Sequence, residues 1–129
     1  MIYLGYKSLN LPMFLRLSHT QKPVYKDSSE LVSECYRITA MFPKDEKFAM
    51  ISQIRRAALS VHLNIAEGCS RRSETERIRY FEIARGSVIE VDAAIGIAIK
   101  LDFCKMESFC KMETLILSCF KQLSALIGK

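Results

Sequence analysis

The chain has 129 residues and a mass of 14.8 kDa, which fits one domain of the usual ~100–150 residues and excludes two independent ones. Half of the residues are apolar and 26% are charged, enough for a core and unlike the composition of a disordered segment. The net charge of +5 (19 minus 14) is concentrated in residues 55–85, where seven basic face four acidic side chains; an excess of +3 permits contact with a polyanion and does not require it.

The first 17 residues have the apolar look of a leader, but Lys7, Pro12 and Arg16 divide the run, and the uncharged stretch from Ser8 to Leu15 is too short to span a bilayer. Residues 1–22 are therefore expected to be a weakly ordered N-terminal extension, outside a bundle domain at 23–129. Residues 1 to about 20 are expected to be dispensable, so that deleting residues 1–12 leaves the thermal midpoint nearly unchanged. No membrane segment is predicted, and a cytoplasmic location is expected.

After Pro43 the remaining 86 residues (129 minus 43) contain no proline and only four glycines. So few turn formers argue for a few long helices rather than many short strands. Leu31, Cys35, Ile38 and Phe42, at spacings of 4, 3 and 4, predict a first helix over about 23–41, stopped by Pro43. A second helix, about 45–67, carries Phe48, Ile51, Ile54, Ala58, Val61 and Ile65 on its core face, and Gly68 is expected to supply the left-handed residue that follows many helices.

Ser73-x-x-Glu76 has the form of a capping box, so a third helix is predicted to start near Ser73. Its stripe of Ile78, Phe81, Ala84, Val88, Val91, Ile95 and Ala98 runs to about Asp102. A turn at 103–105 leads to a last helix with Phe109, Met112, Ile116, Cys119, Leu123 and Leu126 in register. The fold predicted is all-α, an antiparallel up-down four-helix bundle. Residues 93–99 are apolar on every side, and Gly86 and Gly96 each cost about 1 kcal/mol against alanine in a helix interior. Close approach of another helix and self-association are expected there.

Chemistry-bearing residues are few. Five cysteines form no C-x-x-C pair and read as reduced thiols; Cys35 and Cys119 lie on apolar stripes. Neither His19 nor His62 follows an acidic residue three positions earlier, which excludes the Glu-x-x-His pattern of di-iron bundles. His62 reads as a helix-face or partly buried histidine. No catalytic residue, metal ligand or cofactor is expected. The polar set around the second helix has two readings. In one, Arg56, Arg71, Arg72, Arg77 and Arg79 offer a basic edge to RNA or DNA. In the other, Arg55, Asn64, Glu67 and Glu90 form a structural polar network, and the turn residues Arg71 and Arg72 are the least structural of the arginines.

Phe42-Pro43-Lys44-Asp45-Glu46, Gln53-Ile54-Arg55-Arg56-Ala57-Ala58, Ser60, Asn64-Ile65-Ala66-Glu67-Gly68, Phe81, Ala84, Gly86-Ser87 and Glu90 resemble the bacterial four-helix bundle proteins of the 23S ribosomal RNA intervening-sequence family over about 24–103. The resemblance implies a helical bundle with no assigned enzyme activity that can assemble as a homo-oligomer, specifically a ring-like pentamer. A related member, the accessory variability determinant protein of diversity-generating retroelements, is a basic pentamer that binds nucleic acid and a reverse transcriptase, so RNA or DNA and a reverse transcriptase-like protein are the implied partners. His62 stands where many members have proline, which predicts a straighter second helix. The function expected is that of a non-enzymatic, self-associating bundle with a basic surface; the alternative is a protein-interaction scaffold whose basic residues are structural.

Overall fold

The computed structural model describes Phe14, Leu15 and residues 17–128. Four helices account for most of it: α1 (Pro23–Thr39), α2 (Ser52–Cys69), α3 (Glu74–Lys100) and α4 (Cys110–Ile127). Each helix packs on its neighbours in chain order, and α4 returns to α1, so the four close an antiparallel up-down bundle. No helix among the described residues is long and apolar enough to cross a membrane.

The predicted stripes form the core. Leu31, Cys35 and Ile38 of α1, Ile54, Ala58, Val61 and Ile65 of α2, Val91 and Ala98 of α3, and Cys119 and Leu123 of α4 are completely buried. Periodicity within one helix suffices for this because a 3.6-residue repeat puts i, i+3, i+4 and i+7 on one face. Leu126, the last residue of the predicted α4 stripe, is 39% exposed beside the end of the helix.

Three local details differ from expectation. The second helix does not begin regularly at 45: a 3₁₀ turn at Lys44–Glu46 leads into a π-helical turn at Lys47–Ile51 before α2 starts. The wider π turn shifts the angular phase, so Phe48, predicted for the core, is 90% exposed while Ile51 and Ile54 point inward. From Ser52 onward α2 continues unbroken through His62.

Gly68 is not left-handed; it is the penultimate residue of α2 and buried. Its small size is required for a different reason. A Cβ there would lie 2.8 Å from Phe81 Cε1 and 3.0 Å from Tyr80 Cβ, so glycine lets α3 approach α2 at this level. Among the described residues the left-handed positions are Asp102 (φ 59°), just past α3, and Gly128 (φ 86°), which ends α4.

The third difference lies at the N-terminus. Residues 1–13 of the segment expected to be dispensable lie outside the described residues. The expected extension to residue 22, however, includes a packed 3₁₀ turn at Ser18–Gln21, in which His19 and Thr20 are buried. The His19 ring meets Tyr25 edge-on at 5.1 Å between centroids, and Tyr25 in turn lies against His62 at 4.4 Å with the rings tilted by 45°. The packed unit therefore begins before Pro23.

Candidate nucleic-acid interface

The α2–α3 connection is built from residues with short-range partners. As α2 ends, Ser70 and Arg71 donate their backbone N–H groups to the carbonyls of Glu67 and Gly68. Ser73 then caps α3 by accepting the Glu76 N–H at 3.1 Å. The reciprocal bond of a full capping box, from the Ser73 N–H to the Glu76 carboxylate, is absent. Glu74 and Glu76 occupy the first turn of α3, so the positive end of the helix dipole is compensated by the chain's own carboxylates.

Two of the five candidate arginines hold this turn together. Arg71 pairs with Glu67 one helical turn earlier and lies over the Tyr80 ring, 5.1 Å from its centroid. The hydrogen bond that Arg71 donates to Glu67 holds the guanidinium still more firmly in its charged form. Arg77 donates from Nη1 to the carbonyl of Arg71 (3.1 Å) and to that of Arg72 (2.8 Å), satisfying acceptors the turn leaves without a helical partner. The expectation that Arg71 is among the least structural of the arginines is therefore corrected: turn position alone did not reveal that Tyr80 packs beneath it.

Arg72 and Arg79 are exposed and, among the described residues, have no ion-pair partner. Arg72 lies in the turn and Arg79 near the start of α3. Arg56 is also exposed and contacts Gln53 Oε1 at 3.5 Å, but it lies thirteen residues before the end of α2, roughly 20 Å along the axis. The five arginines thus divide into four around one turn and one outlier.

The residues assigned to a structural network are polar ties at separate levels, not one network. Arg55 crosses to α1, donating from Nε to Thr39 Oγ1 at 2.8 Å and stacking on Tyr36 at 4.4 Å. Asn64 bonds the carbonyl (2.9 Å) and hydroxyl (3.1 Å) of Ser60, whose Oγ lies 2.9 Å from Ser87 Oγ on α3. Glu90 accepts from Gln53, and Glu67 from Arg71. Each of these exposed or half-buried side chains bonds a partner on its own helix or on the helix packed beside it.

Other ties were not legible in the sequence. Ser28 is completely buried, and its Oγ lies 2.7 Å from His62 Nδ1 and 2.9 Å from the Tyr25 carbonyl. Burial lowers the His62 pKa, with a smaller contribution in the same direction from the charge of His19. This serine–histidine contact joins α1 to α2; the buried hydroxyl gives a substrate no access. Arg85 of α3 donates from Nη1 to Ser124 Oγ of α4 at 3.0 Å. The thiols of Cys35 and Cys119 are pushed up to about 12, chiefly by burial. Among the described residues no three His, Cys, Asp or Glu side chains are grouped to hold a metal.

Comparison with known proteins places this geometry in context. The model of the 23S rRNA-intervening sequence protein family matches residues 20–125. The chain belongs to that family. The match takes in α1, α2, α3, the α2–α3 turn and α4 as far as residue 125. A crystal structure of a protein with unknown function from the S23 ribosomal protein family of Bacteroides thetaiotaomicron superimposes with a TM-score of 0.75 at 21% identity, covering 82% of this chain and 99% of the other. That likeness is one of fold. No curated protein matches the chain.

Proposed function

We propose that this member of the 23S rRNA-intervening sequence protein family is a non-enzymatic, cytoplasmic, self-associating bundle that offers the surface around the α2–α3 turn to RNA or DNA. The observation that carries the reading is the exposure of Arg72 in the α2–α3 turn and of Arg79 early in α3, without ion-pair partners among the described residues, beside a turn braced by Gly68, Arg71 and Arg77. A braced turn presents its free cations at low entropic cost, and a homo-oligomer repeats the pair in every copy, so several phosphates can be neutralised together. A pentamer and a reverse transcriptase-like partner are the assembly and protein partner that the family resemblance suggests.

A second reading, an interaction scaffold whose basic residues are structural, is favoured by the bracing roles of Arg71 and Arg77 and by the interleaved Glu74, Glu76 and Glu82. Titration of structured RNA and duplex DNA against salt separates the two. Binding to duplex DNA should weaken with a logarithmic slope of about 0.9 for each phosphate neutralised, and the Arg72→Ala, Arg79→Ala double variant should flatten it. The same variant should unfold within about 0.5 kcal/mol of the parent, as surface substitutions do. Arg71→Ala should lower the unfolding midpoint. Absence of binding at low salt, or binding indifferent to both salt and the double variant, would leave the scaffold reading.

A further inference from the structure

The C-terminal half of α3 and the N-terminal half of α4 leave between them an open groove of about 700 Å³. Its floor is apolar: Ile95, Phe109, Met112 and Ile116, all buried. Three carboxylates, Asp92, Glu107 and Glu113, rim it, and no lysine or arginine lines it. None of the three has an ion-pair partner among the described residues. Gly96 lies in its wall, and a Cβ there would meet nothing within 4 Å. The glycine therefore serves no packing need within this chain, and its absent side chain keeps the groove open.

On another side of the bundle, the outward face of α2 presents a second apolar stripe. Arg56, Leu59, Leu63 and Ala66 follow at spacings of 3, 4 and 3, the repeat of a helix face prepared to pack. Leu59 is 41% and Leu63 55% exposed, and Arg56 is exposed at one end. The stripe is about ten residues long, roughly 15 Å at 1.5 Å per residue. The facing wall of the groove, from Glu107 in the 3₁₀ turn at Met106–Phe109 to Leu117 of α4, has at least the same reach.

We propose that the α3–α4 groove receives the outer face of α2 from a second copy of this chain, with Leu59 and Leu63 on the apolar floor and Arg56 among the rim carboxylates. This rests on the self-association in the proposed function and adds which faces meet. Charge selects the pairing: groove against groove would set three unpaired carboxylates against three others, and α2 face against α2 face would oppose two arginines, whereas groove against α2 face joins opposite signs. Each copy then gives one face and receives on a different one. Such a heterologous contact builds rings or filaments.

Sedimentation velocity and light scattering over a concentration series test the proposal, with far-UV circular dichroism to confirm that each variant folds. The wild type should assemble. Leu63→Arg, or the groove reversal Asp92→Lys with Glu113→Lys, should raise the half-assembly concentration at least about tenfold. Adding Arg56→Glu to the groove reversal should restore assembly, a result that mere loss of folding cannot mimic. Assembly of the Leu63 or groove variant at wild-type concentrations would overturn the proposed faces and leave self-association standing. A groove reversal that dissociates and is not rescued by Arg56→Glu would overturn α2 as the occupant. A wild type that stays at 14.8 kDa throughout would overturn both the proposal and the self-association it rests on, leaving the groove to a different protein.

Discussion

Replacing Gly68 with alanine sets two opposing effects against each other, and the structure determines their sum. In an isolated helix the change would be favourable by about 1 kcal/mol, since glycine has the greater backbone freedom to lose. Here the new methyl would sit 2.8 Å from Phe81 Cε1, 3.1 Å from Phe81 Cδ1 and 3.0 Å from Tyr80 Cβ. Neither neighbour can yield cheaply: the Phe81 ring is 5% exposed, and the Tyr80 Cβ is fixed to the α3 backbone. Relief requires α2 and α3 to separate, and overpacking of this kind costs about 1–3 kcal/mol. With two contacts at 3.0 Å or less and neither neighbour free to yield, the cost falls in the upper part of that range, about 2–3 kcal/mol, so the sum is a destabilisation of about 1–2 kcal/mol, or roughly 4–7 °C in midpoint for a chain of this length. Urea unfolding followed by circular dichroism measures it. Gly86→Ala is the control, because nothing lies within 4 Å of a Cβ at that position, and it should gain roughly 0.5–1 kcal/mol. A Gly68→Ala protein as stable as the parent would refute the close-approach account.

His62 should make stability depend on pH. Its folded-state pKa lies below the ordinary 6.5, chiefly through burial, so the unfolded chain binds the proton more readily; the contribution is complete above pH 6.5 and is lost as pH falls through the folded value. Urea midpoints compared at pH 7.5 and 5.5 should differ less for His62→Gln than for wild type. Ser73→Ala removes the acceptor of the Glu76 N–H and should cost about 1 kcal/mol in the same assay, the usual worth of an N-cap. With a thiol reagent at neutral pH, exposed Cys110 should react first and the buried thiols of Cys35 and Cys119, pushed up to about 12, only on unfolding; rapid labelling of Cys119 in the native protein would contradict its burial.

The stripes of all four helices, the stop before Pro43, the Ser73 cap and the family membership could be read in the one-dimensional pattern, because each depends on residues within a few turns of one another. That locality explains why Leu31, Cys35, Ile38 and Phe42 could be assigned to the core before α1 had neighbours. The failures share the opposite property. Phe48 left the core because a π turn rephased the start of its helix. Gly68 exchanged an expected left-handed turn for contact with Phe81, thirteen residues away in sequence. Arg71 became structural because Tyr80 packs beneath it, and Ser28 found His62 across the α1–α2 interface. Whether the five arginines share one surface likewise depended on helix direction and length, which put Arg56 a helix length from the others. Spacing within one helix determines which residues share a face, whereas only the packing of helices decides what each face meets.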